Sequence, residues 1–292
     1  MSSAFLFNHP GGEHVPRKTV SEYEWNEQPH RRKFVIADAH LAEKDDDGFT
    51  MAPRSVEVAL WAEWEPPSFC GRFEDDAHHP LLPRAWHRPV VGCTPTDKAQ
   101  NTDPWVFGET MRYSNCRQER LRRLRELQPG DVLFYGSVKK MDERGCKIDQ
   151  YGFYLDTVFV IGRSADYRFE AEHPRLPDEA QVDDVFRTHV LDVLGRQARD
   201  KHFTLYDGVM LTDSTDQPFC YVPCRPVGAS LEDARFPRPR IDDLFGPPFS
   251  NPQLGLRKLD LPAEEAWQKV TTRCRERGLK LAARIELPAA GR

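Results

Sequence analysis

The chain has 292 residues, 39% of them hydrophobic and 30% charged, with a net charge of −5. This balance suits a globular protein of one large or two modest domains. It excludes a generic polyanion binder, since any nucleic-acid contact would need a local basic patch. No apolar run approaches the ~20 residues that span a bilayer, so no membrane contact is expected.

The N-terminus, Met1 to Pro10, has no basic n-region, and its apolar run is too short for a secretory signal. The seven cysteines are odd in number and scattered, which fits reduced thiols and a cytoplasmic protein. The 24 prolines concentrate at 53–95 and 218–262, marking loops and short strands.

Residues 1–95 read as a loop-rich N-terminal extension with one or two strands. Phe34–Ala37 is one short strand, and Ser55–Trp64 alternates well enough to be the other. In the second, Val56, Val58, Leu60 and Trp64 face one way, and Glu57, Trp61 and Glu63 the other. Trp61, on the polar side, is expected to cover a neighbouring loop. The pair His78-His79 has Cys70, His87 and Cys93 nearby but no zinc spacing, so no metal is expected. Cys220 and Cys224 have no matching second pair and read as structural thiols.

The centre of the chain, 96–229, is organised around Tyr113 to Ile161. Asn115 is a good N-cap with Gln118 three residues on, as a capping box requires. Leu121, Leu124 and Leu127 follow at helical spacing, and Pro129-Gly130 stops the helix. Two apolar runs, 131–137 and 153–161, then read as strands that pair. Further on, Val182, Val185, Phe186, Val190, Val193 and Leu194 keep a helical period, and 203–206 and 219–222 look like strands. In the last section, 230–292, a Pro- and Arg-rich stretch is expected to wrap the surface as far as Pro252. A helix then begins at Pro262 with Ala266, Trp267, Val270 and Cys274 on one side, and Leu279–Leu287 closes the chain as a strand.

Cys116 would occupy the first position of the capped helix, where unpaired N–H groups favour a thiolate, and Arg112, Arg117 and Arg120 add positive charge. It is a candidate nucleophile; the competing reading is a small buried hydrophobe. The helix carries five arginines, at 117, 120, 122, 123 and 125, against two glutamates. Arg112, Arg117, Arg120 and Arg123 are therefore candidate phosphate contacts, unless the face is simply solvated.

Aromatic residues crowd the same region. A base taken out of a helix is held by stacking and by a few polar groups that read its edge. Trp105, Phe107, Tyr113, Tyr135 and Tyr154 are candidate walls, with Ser114, Asn115, Gln118, Ser137, Asp156 and Thr157 as polar contacts. Asp156 stands out, because a carboxylate within an apolar strand needs a partner or a purpose. It is also a candidate catalytic group. Gly-rich phosphate loops, dinucleotide fingerprints, nucleophile elbows and kinase motifs are absent from the sequence, so no cofactor is expected.

The segments Leu127-Gln-Pro-Gly-Asp-Val-Leu-Phe-Tyr-Gly-Ser137 and Leu155-Asp-Thr-Val-Phe-Val-Ile-Gly162 resemble the PUA-like superfamily, particularly its EVE and ASCH members. Together with Trp105-Val-Phe-Gly108, Tyr113-Ser-Asn-Cys-Arg-Gln118 and Phe219-Cys-Tyr-Val-Pro-Cys224, the likeness extends to the nucleotide modification-associated domain families. It covers roughly residues 100–225. The first 95 residues match no such pattern, and the insert at 138–150 lengthens the hairpin.

The resemblance implies a small β-barrel that binds RNA or modified DNA bases, of the kind found in bacterial and phage systems that make or police altered bases. The expected fold is α+β: a mostly antiparallel curved sheet or PUA-like barrel, a packed basic helix and loop-rich extensions. The expected function is binding or processing of nucleobases, with a nucleic acid or nucleotide-like ligand and a protein partner from a modification or defence system. Two alternatives stand beside it: a cysteine-dependent enzyme acting on a small nucleotide-like metabolite, and a protein-interaction module.

Overall fold

A computed structural model of the chain describes residues 2–9, 12–13, 31–64, 68–74, 79–91, 103–114, 122–170, 173–175, 182–192, 202–212, 215–247 and 255–289. Among them run β1 (Ser3–Asn8), β2 (Lys33–Asp45), β3 (Gly48–Met51), β4 (Val56–Ala62), β5 (Ser68–Arg72), β6 (Ala85–Pro89) and β7 (Arg112–Ser114). They continue with β8 (Val132–Met141), β9 (Lys147–Glu170), β10 (His173–Arg175), β11 (His202–Gly208), β12 (Val222–Pro226), β13 (Gly255–Pro262) and β14 (Lys280–Ile285). Helix α1 (Asp184–Phe186) runs on as a π turn, Arg187–Leu191, and α2 is Ala263–Glu276. No helix among the described residues is long and apolar enough to cross a membrane.

The strands form two mixed sheets, and with few helices the fold is α+β. One sheet runs β13-β1-β8-β9-β11-β7, with β10 against β9. The other runs β14-β12-β4-β2-β6-β5, with β3 against β2. Because β14 also pairs with β2, strands β2, β4, β12 and β14 close into a ring. Between these strands only β1–β8 and β2–β6 pair in parallel.

The two sheets are joined along one edge of β9. Val158 and Tyr221 exchange backbone hydrogen bonds at 2.9 and 3.0 Å, and Tyr221 leads directly into β12. Further along, Leu155 N–H donates to Pro239 and Ile241 N–H to Phe153. The 235–241 strap is thus clamped between the sheets, with Phe236 and Ile241 fully buried. Trp61 covers it: its Nε1 donates to the Phe236 carbonyl at 3.0 Å.

At the C-terminus the spacing reads true. Ala266, Trp267, Val270 and Cys274 of α2 are buried, glutamates occupy its first turn and arginines its last, matching the helix dipole. Gly278, at φ +70°, turns the chain into β14.

Three expectations need correction. The described residues of 1–95 hold six strands rather than one or two, and β1 sits inside a sheet between β8 and β13. The Pro- and Arg-rich stretch is not a surface wrap where it is described, since Arg235, Phe236, Arg238, Ile241 and Asp242 are buried. In place of the packed basic helix, Arg122–Arg125 forms a single 3-10 turn, while 115–121 lie outside the described residues. The apolar spacing still decides packing there: Leu124 and Leu127 are buried, Arg123 and Arg125 exposed.

Candidate functional site

Strands β8 and β9 pair as expected from Val132↔Val160 to Tyr135↔Thr157, and then the register slips. Gly136 faces Leu155, which leaves Asp156 as the extra residue of a β-bulge. A bulge re-aims the side chain it carries. Glycine at 136 allows the close approach, because a Cβ there would fall on the Tyr154 carbonyl and the Phe153 ring. Phe153 to Ile161 are buried along the whole run. Alternation offers Asp156 an outward place beside Tyr154; instead it is 6% exposed and held by two arginines.

Arg32, just before β2, donates Nε to Asp156 Oδ2. Its Nη2 donates to the carbonyls of His9 (2.9 Å) and Gly136 (3.1 Å). Arg238, from the strap, donates Nη1 to Asp156 Oδ1 at 2.8 Å and to Ser137 Oγ at 2.9 Å. Its Nη2 lies 3.3 Å from Glu13 Oε1, and Lys139 Nζ pairs with that same oxygen. Glu13 Oε2 takes no hydrogen bond among the described residues. Both arginine side chains are 1% exposed, against 19% for Glu13 and 17% for Lys139. The cluster therefore grades from a sealed interior to a partly exposed rim. His9 and Glu63 form a second buried pair, with Nδ1 3.1 Å from the carboxylate. The His9 backbone N–H donates to Gly136 at 2.9 Å, tying the pair to the bulge.

Burial and the neighbouring Arg238 push the Lys139 ammonium from its ordinary 10.5 down to about 8, against the pull of Glu13. Burial alone would raise the Glu13 carboxyl, but Lys139 and Arg238 outweigh it and hold the group below 4.5. Arg238 is held above its ordinary range: burial opposes its charge, and Asp156 and Glu13 overcome that. The rim thus presents a carboxylate acceptor beside an ammonium donor that gives up its proton more readily than an ordinary lysine.

The structure brings Ser137 and Asp156 together, both on Arg238. The aromatic walls do not gather into a pocket. Trp105 and Phe107 are wholly buried, packed with Trp64 at ring distances of 5.8 and 4.9 Å. Tyr113 packs on Tyr135 at 5.3 Å and stacks on Tyr206 at 6.2 Å. Tyr154 is buried with its hydroxyl on the Met141 carbonyl, Ser114 is buried against the Tyr167 hydroxyl, and Thr157 is buried in β9. With their faces covered by protein, these rings are core and offer no base a platform. Arg112 is no phosphate contact either, being buried on Asp183 (3.0 Å) and Asp207 (3.2 Å). Arg123 is exposed and lines a separate cleft of about 640 Å³ with Lys258, Gln128 and Phe5. Cys116, Asn115, Gln118, Arg117 and Arg120 lie outside the described residues.

Sequence reasoning missed Arg32, Arg238, Glu13, Lys139, His9 and Glu63. One signal pointed toward them: Asp156 within an apolar strand demanded a positive partner. Comparison with protein-family models, curated proteins and solved structures finds no match for this chain.

Proposed function

We propose that the chain binds a nucleobase, in a nucleic acid or a nucleotide, at the rim formed by Glu13 and Lys139. The observation that carries this reading is the grading of the charged cluster. Two sealed arginines and Asp156 fix the position of an acceptor and a donor that remain 19% and 17% exposed. Glu13 Oε2 can accept from an exocyclic amine while Lys139 donates to the adjacent ring acceptor, a two-point contact typical of base-edge recognition. The sealed part prepays the ordering cost, because neither rim group has to find its place when the ligand arrives.

The resemblance of residues 100–225 to nucleotide modification-associated and PUA-like domains supports the same ligand class. One of its more specific segments, Leu155-Asp-Thr-Val158, carries the bulged Asp156. A PUA-like arrangement of that stretch is part of this proposal. The aromatic side chains are assigned a supporting role, stiffening the sheet beneath the rim.

Titrating the full chain with cytidine monophosphate, with its analogue doubly methylated at the exocyclic amine, and with ribose phosphate tests the reading. Cytidine monophosphate should bind about fivefold or more tighter than the methylated analogue. Glu13→Gln and Lys139→Met should abolish that difference. Equal affinity for all three compounds would overturn it.

A further inference from the structure

Strands β5 and β6 place a second group of reactive side chains far from the charged cluster in kind. In β5, Ser68 and Cys70 are two residues apart and so share a face, and His87 of β6 is the cross-strand partner of Cys70. His87 sits between them, with Nδ1 2.8 Å from Ser68 Oγ and Nε2 3.8 Å from Cys70 Sγ. Ser68 and His87 are fully buried, and Cys70 is 7% exposed. This is the order of parts that activates a thiol: nucleophile, base, and a third group orienting the base. With Nδ1–H donating to Ser68, Nε2 holds its lone pair toward the sulfur and can take the thiol proton.

The other buried thiols among the described residues lack such a base. Cys220 donates its S–H to the Val160 carbonyl at 3.4 Å, and burial pushes both Cys220 and Cys274 up to about 12. A carbonyl acceptor holds the proton on sulfur, whereas an imidazole removes it.

We propose that Cys70 is a peroxide-reactive cysteine, with His87 as its base and Ser68 as the positioning residue. With Cys70 only 7% exposed, a small reactant is favoured, which selects hydroperoxides among the electrophiles that thiolates attack. The thiol gives its proton to His87 Nε2, and the sulfur attacks the nearer peroxide oxygen. An S–O bond forms as the O–O bond breaks, and the departing oxygen takes the proton back from His87. Sulfur is oxidised by two electrons to sulfenic acid, and the hydroperoxide is reduced to an alcohol, or to water when it is hydrogen peroxide.

The test treats the full chain with hydrogen peroxide in the presence of dimedone, which traps sulfenic acid, and maps adducts by peptide mass spectrometry. The Cys70 peptide should acquire the adduct about tenfold faster than those of Cys220, Cys224 and Cys274, and faster than exposed Cys146. Ser68→Ala, which removes only a hydroxyl, should slow Cys70 several-fold without lowering the melting temperature below that of Cys70→Ser. Should His87→Gln fail to fold, the Ser68→Ala rate still decides. Cys70 reacting no faster than Cys146, or at an unchanged rate in Ser68→Ala, overturns the proposal.

Discussion

Asp156 Oδ1 meets Arg238 Nη1 at 2.8 Å across 82 positions of sequence, and Arg32, 124 positions away on the other side, holds Oδ2. One carboxylate therefore ties β9 of the first sheet to the strap and to the entry of β2 in the second. Removing one partner from such a group leaves charge stranded in a low-dielectric interior, which costs far more than the intact pair contributes.

Asp156→Asn should accordingly lower unfolding stability by about 3–5 kcal/mol. The side chain keeps its shape, but Arg32 and Arg238 lose the negative charge they share. Urea denaturation measures the loss. A variant that folds with undiminished stability and yet fails to bind cytidine monophosphate would move the base contact onto Asp156 itself.

Lys139 should titrate near 8. Competitive acylation followed by peptide mapping should show its reactivity rising through that value, while surface lysines rise only toward their ordinary range. Linkage gives a second readout. Between about 8 and 10.5 the unfolded chain keeps a proton that folded Lys139 has released, so stability gains a component that increases with pH. Lys139→Met should remove that component from the difference between the two proteins.

Glu13 acts at the other end of the scale. Its folded carboxyl is held below 4.5, so it contributes stability above that value and loses it as pH falls through the depressed one. Acid unfolding of Glu13→Gln should be less steep below 4.5 than that of the parent chain. Identical slopes would show that Lys139 and Arg238 do not hold the carboxylate in its charged form.

Gly136→Ala should cost about 1–3 kcal/mol, because the added methyl meets backbone and forces the bulge apart. The same change should weaken nucleotide binding, since Asp156 and both its arginines are positioned through that bulge. Thermal melts and titration together check this; a neutral substitution would mean that the register slip does not depend on glycine.

Elements whose burial pattern is local were legible in the sequence. The β8–β9 pairing, α2 with its buried Trp267 and Cys274, and β14 follow from apolar spacing and from Pro or Gly at their ends. Among the described residues of the first 95, β2 and β4 were legible in part, whereas β1, β3, β5 and β6 were not, because they are only four to six residues long and the partners of β1 lie far along the chain. Asp156 announced its need for a cation, but no periodicity ties residue 156 to 32 or 238. Gly136 within an apolar strand was the one local sign of the bulge. The aromatic walls misled because strand-spaced Tyr and Trp look the same whether they line a pocket or fill a core, and only their packed neighbours decide.

The most direct test of base reading at the rim is protection of Lys139. With its ammonium drawn down to about 8, Lys139 should acylate at pH 8. Saturating cytidine monophosphate should slow acylation of Lys139 in proportion to occupancy and leave the other lysines unchanged, while ribose phosphate should not. Lys139 acylating at the same rate with ligand bound, or ribose phosphate protecting it equally well, would contradict the assignment.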